Sequence, residues 1–130
     1  MECSCSIDSC DGEEGYEDYE QKFLVHNLKS LIIKCGECNR EIKLGEKFEW
    51  FRGEYDGDKH THHTCIDCLS LRKNFFGDWT FEQLWEDFCY HMDDCSWEIP
   101  ESCLSKVTPK TRNKICEMIE KERLIQIGER

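Results

Sequence analysis

Four cysteines set the chemistry of this chain. Cys35-Gly36-Glu37-Cys38 and Cys65-Ile66-Asp67-Cys68 are two CxxC pairs separated by residues 39–64. Two thiolates at this spacing grip one cation from a single turn of backbone. Two such pairs close a tetrahedral shell, at Zn–S distances of about 2.3 Å, with no position left for water. That is the arrangement of a structural zinc site, so Cys35, Cys38, Cys65 and Cys68 are the expected ligands of one Zn²⁺ ion. Unligated core cysteines would leave the paired spacing unexplained. A thiol–disulfide exchange motif can also read Cys-Gly-x-Cys, but it needs a preceding strand and a long following helix. Here a hairpin pattern and a second CxxC follow instead.

Of the 11 cysteines, seven remain. Cys3, Cys5 and Cys10 sit in a segment with almost no aliphatic residues, and they are candidates for a second zinc. Its missing ligand would come from His60, His62, His63, His91 or Cys95. Cys89 and Cys116 fall near the apolar faces of their helices and are expected in the core, where small cysteines are ordinary. The three histidines of the hairpin raise a metal-dependent nuclease as another reading. Such a site needs a histidine base at a strand end, an Asn or His on the next helix, and basic residues to grip phosphate. Alternation separates His60 and His62 from His63, and the helix after Cys68 offers Arg72, Lys73 and Asn74 but no histidine. No catalytic residue is assigned, and an enzyme is the least supported class.

The elements that must position the cysteines follow from periodicity and turn chemistry. Lys47–Arg52 and Lys59–Thr64 flank Asp56-Gly57, a hairpin turn signal. Phe23–Val25 and Leu31–Ile33 read as short extended runs leading into the first CxxC. A short helix is expected from Cys65 to Phe75, ending near Gly77. Thr80 and Gln83 make a capping box, and Phe81, Leu84, Trp85, Phe88 and Met92 predict a helix over 81–92. Thr108-Pro109 is a favourable start for a last helix that carries Ile115, Met118, Ile119 and Ile125 toward the core. Trp50, Phe51 and Tyr55 are expected in the core rather than as base-stacking platforms. The fold class is therefore α+β: a small zinc-stabilised, treble-clef-like domain of knuckle, hairpin and helix, with two additional C-terminal helices. Residues 1–20 form an acidic arm, 21–76 the zinc domain, and 77–130 a helical part packed on it as one compact unit.

The pattern CxxCxxxIxxGExF from Cys35 to Phe48 is followed by the hairpin from Trp50 to Asp58 with its Asp-Gly turn. Then comes T-C-x-x-C from Thr64 to Cys68. With the early Cys3-x-Cys5, Asp8 and the later Leu84-Trp85-Glu86-Asp87, the chain resembles a family of small cysteine-rich, treble-clef-like zinc-finger proteins of phages and prophages. The resemblance covers about residues 2–92. It implies a zinc-binding accessory protein in a bacterial cytoplasm.

Charge narrows the partner. The net charge is −11 and uneven: residues 1–20 and 76–103 each hold eight acids and no bases, while 21–75 and 104–130 are slightly basic. Repulsion at a phosphate backbone makes a protein with a basic surface the expected partner and demotes nucleic acid. On the helix after Thr80 the apolar stripe turns Glu82, Glu86, Asp87 and Asp93 outward, as a candidate contact face. Lys110, Arg112 and Lys114 oppose the dipole of the last helix, which points to pairing with the chain's own acids. No leader-like or membrane-length apolar run is seen, so a cytoplasmic setting with reduced thiols is expected. The expected function is a non-enzymatic zinc-binding interaction protein, a phage-encoded modulator or inhibitor of a host protein such as a defence complex. A zinc-finger nucleic-acid-binding regulator is the alternative.

Overall fold

The computed structural model describes residues 17–77, 79–94 and 96–128. Cys3, Cys5, Cys10 and Cys95, and with them the expected second zinc, lie outside these residues. The chain runs β1 (Glu17–Val25), β2 (Ile33–Lys34), β3 (Glu41–Ile42), β4 (Lys47–Tyr55), β5 (Asp58–Cys65), α1 (Ile66–Phe75), α2 (Leu84–Asp94), α3 (Glu101–Leu104) and α4 (Pro109–Gly128).

Strands β4 and β5 form the expected hairpin. Asp56 and Gly57 both adopt positive φ, 53° and 85°, the backbone that matches the twist of paired strands. The register sets Phe51 opposite His62 and Phe48 opposite Cys65. On the other side of β4 lies β1, antiparallel, giving the order β1-β4-β5. This strand is longer than the apolar run Phe23–Val25, because its polar part also finds partners. Gln21 Nε2 donates to Glu49 Oε2 at 2.7 Å, and Tyr19 stacks on Phe51 at 5.3 Å. β1 therefore crosses residue 20, where composition placed the end of the acidic arm. Of Leu31–Ile33 only Ile33 is in a strand, paired with Ile42 in the two-residue ladder β2–β3.

Three helical segments follow α1 rather than two, since the single turn α3 adds one after Pro100. The apolar stripe of α2 packs as expected, with Leu84, Phe88 and Met92 buried. Phe75 meets Phe88 edge-on at 5.6 Å. In α4, Ile115 is fully buried and Met118 and Ile119 half-buried, but Ile125 is 47% exposed. The helix is 20 residues long and its last turns carry Leu124, Ile125 and Ile127 beyond the core. Cys116 is exposed, against expectation, whereas Cys89 is half-buried and packs on the core; Cys103, which periodicity did not single out, is buried in it. A polar lock holds α4 to α1. Thr108 Oγ1 donates to Asp67 Oδ1 at 2.6 Å, Thr111 Oγ1 donates to the Asp67 carbonyl at 2.7 Å, and the Thr108 N–H donates to Ser70 Oγ at 3.1 Å. Of the three bases at the start of this helix, Arg112 pairs with one of the chain's own acids, Glu101, at 2.9 Å, while Lys114 lies 4.0 Å from the centre of the Trp85 ring.

Under the sheet sits an ion pair with almost no access to water. Glu49 of β4 is fully buried, and its carboxylate accepts both terminal nitrogens of Arg72 of α1, Nη1 at 2.9 Å. The guanidinium also lies 4.1 Å from the centre of the Trp79 ring. Phe51, of the same sheet face, is wholly buried against Phe81. Trp50 is half-buried and Tyr55 is 41% exposed, so of the three hairpin aromatics only Phe51 is fully core.

Candidate metal centre

The first cysteine pair is built on a knuckle. The Cys35 N–H donates to the Arg40 carbonyl and the Asn39 N–H to the Cys35 carbonyl, both at 2.9 Å. Asn39 takes the left-handed conformation, φ 65°, that this reversal requires and that Asn tolerates. The second pair sits at the start of α1. Cys65 is its N-cap residue, with its sulfur accepting the Cys68 N–H, so helix-end N–H groups and dipole face the sulfur charge. One hydrogen bond, from the Gly36 N–H to the His63 carbonyl at 2.8 Å, pins the knuckle to the end of the hairpin.

These elements bring the ligand sulfurs of Cys35, Cys38, Cys65 and Cys68 within 4.8 Å of one another. Cys38 and Cys65 are 3.8 Å apart. Three of the four side chains are buried and Cys38 is half-buried. Backbone N–H groups of Glu37 and Cys65 both donate to Cys35 Sγ at 3.4 Å, and Trp85 Nε1 donates to Cys68 Sγ at 3.3 Å. Four sulfurs this close are positioned to bind one metal ion among them, and binding it as thiolates would release protons.

The surroundings are wired to the same four residues. Arg40, leaving the knuckle, grips Glu46 through two nitrogens at 2.9 Å and reaches Asp67 of α1 at 3.0 Å. The guanidinium holds the Glu46 carboxyl well below its ordinary value, at about 2. From the middle of the CxxC, Glu37 reaches outward: its carboxylate accepts the N–H groups of Glu82 at 2.9 Å and Leu84 at 3.1 Å. Burial pushes the Glu37 carboxyl up, and these two N–H groups oppose that.

This contact corrects the start of α2. The helix begins at Leu84, not at 81: the Gln83 N–H of the expected capping box donates to the Thr80 carbonyl at 3.2 Å in a turn, and the carboxylate of Glu37, distant in sequence, takes the N–H groups of Glu82 and Leu84. Glu82 lies in the preceding turn at φ 72°, outside the helix. Glu82, Glu86 and Asp93 are exposed as expected, but Asp87 is half-buried, and Asp93 Oδ1 accepts Trp97 Nε1 at 2.8 Å. The acidic face is thus thinner than periodicity drew it.

The metal-binding group found among the described residues holds the four cysteines alone. His62 lies flat on Phe81, ring centres 4.2 Å apart, and His63 meets Phe48 edge-on at 5.7 Å. Burial pushes both imidazoles down. His60 is exposed at the distal end of β5, and His91 is half-buried on α2. No family model, no curated protein and no solved structure matches the chain.

The link between knuckle and helix carries an expected result. Glu37→Ala strands two N–H groups at the start of α2 and should cost about 2 kcal/mol in urea unfolding, the scale of a lost cap with a charged acceptor. Bound metal should stay at the level of the parent chain, because no ligand is touched. Equal stability of the two proteins would show that Glu37 does not position α2.

Proposed function

We propose that the chain is a non-enzymatic, zinc-organised interaction module of treble-clef-like form. Its acidic side chains around α2 bind a basic surface on a partner protein. The observation that carries this reading is the closure of the cysteine cluster. Four sulfurs within 4.8 Å leave no coordination position for water or substrate, the condition of a structural rather than a catalytic site. Four soft thiolates in a tetrahedral setting favour zinc. The order of knuckle, hairpin and helix, with one ligand pair at each end, supports the treble-clef-like description.

The partner reading rests on charge. Residues 76–103 contain eight acids and no bases, and Glu82, Glu86 and Asp93 among them are exposed. Taken with the phage resemblance of the sequence, the partner is a host protein with a basic site, and the module modulates or inhibits it. Where that site normally holds nucleic acid, the module competes as a charge mimic.

The test starts from whatever an immobilised chain retains from a bacterial lysate. Glu82→Lys with Glu86→Lys should weaken binding to that partner about tenfold, the equivalent of about 1.4 kcal/mol from two reversed rim charges. The residual binding should depend less on salt. Stability should move by no more than about 0.5 kcal/mol per substitution. Unaltered binding by the folded variant removes these acids from the mechanism. Strong, steeply salt-dependent affinity of the parent chain for a labelled duplex would favour the nucleic-acid reading instead.

A further inference from the structure

β1 is an edge strand that leaves much apolar surface uncovered. It pairs with β4 on one side, and among the described residues nothing pairs with its other side. Along it Tyr19, Phe23, Leu24 and Val25 are exposed, Phe23 by 68%. Phe23 also lines a groove of about 530 Å³ together with Ile66, Leu69, Phe76 and Trp79 and the bases Arg72 and Lys73. Native sheets blunt such edges with charge, bulges or a covering element. Here a bulge with Asp18 at φ 47° interrupts only the N-terminal end of the strand.

We propose that this edge pairs with the same edge of a second copy, giving a two-fold dimer with a continuous six-stranded sheet. The strand's own sequence selects that occupant. In an antiparallel pair related by a two-fold axis through Gln21, Lys22 falls opposite Glu20 of the partner subunit and Phe23 opposite the partner's Tyr19, each twice. Glu20 and Lys22 already share a face, 3.6 Å apart within one strand, so the pairing gathers two acids and two bases into one alternating cluster. Tyr19 and Phe23 share the other face, the one that looks onto the groove. Pairing therefore lays the partner's Tyr19 beside Phe23 and extends the apolar roof over Leu69 and Trp79. Moving the axis one residue either way sets Glu20 against Glu20 or Lys22 against Lys22, and like charges directly opposite are unfavourable. The register is thus specified by charge, which an indifferent sticky edge would not be.

The test is the oligomeric state of the full chain by sedimentation. The parent protein should be dimeric at tens of micromolar. Lys22→Glu should raise the dissociation constant about thirtyfold, because two attractive cross-strand pairs become repulsive. Glu20→Lys combined with Lys22→Glu should restore the dimer, since the exchange preserves complementarity across the axis. Hydrogen exchange of the parent chain gives a reading that needs no variant: amides of residues 19–23 should gain protection as concentration rises. A monomeric parent chain with concentration-independent protection would overturn the proposal and assign the edge to another segment of the same chain or to a different protein. A dimer indifferent to Lys22→Glu, or one that the double exchange fails to restore, would place the dimer contact elsewhere and overturn it equally.

Discussion

Replacing Cys38 by serine should leave the chain without a cooperative unfolding transition. The four sulfurs join the knuckle to the N-terminus of α1, and the binding free energy of a structural zinc site, about 10–16 kcal/mol in small peptides, is comparable to the whole stability of an ordinary domain, about 5–15 kcal/mol. Losing one thiolate opens the shell and removes much of that energy. Elemental analysis should give one zinc per chain from this site in the parent protein and little in the variant. Its near-ultraviolet circular dichroism should collapse, and a strong chelator should do the same to the parent chain. Cys116→Ser is the matched control: that cysteine is exposed on α4 and its replacement should change neither quantity. A Cys38→Ser protein that loses its metal yet keeps its fold would falsify the structural role of the centre.

The second large effect belongs to the Glu49–Arg72 pair. Breaking a buried ion pair from one side strands a charge in an apolar setting and costs about 3–5 kcal/mol, whereas exchanging both members for apolar residues of similar volume is often neutral or better. Arg72→Met should therefore lower the urea midpoint strongly, while Arg72→Met with Glu49→Leu should recover most of the loss. The recovery should stop short of complete, because Gln21 would lose its acceptor on Glu49. If the double change is as damaging as the single one, the site is held by packing around Trp79 rather than by charge.

How far the sequence could be read depends on the range of the interaction. The hairpin and the helices were legible because their signals are local: Asp56-Gly57 dictates a turn, Thr108-Pro109 a helix start, and the cysteine pairs name their own chemistry. The four candidate ligands do converge. The beginning of α2 was not legible, since the group that caps it is Glu37, nearly fifty residues away, and an acid inside a CxxC looks like any solvated side chain. Ile125 followed the helical period, but periodicity does not say where the packed body ends and α4 runs past it. Glu49 did leave a trace that was available. It occupies the same strand face as Phe51, and an acid in the inward phase of an alternating strand calls for a buried cation, here Arg72.

The uneven burial of the four sulfurs bears on how long a bound metal would stay, as distinct from how tightly it would be held. Cys35, Cys65 and Cys68 are shut away, and Cys68 is further occupied by the Trp85 indole. Cys38 alone is half-open to solvent. A competing chelator, electrophile or peroxide would meet Cys38 first, so exchange of a bound ion would run through a single door. Even a tightly held ion would then leave quickly when that door is attacked.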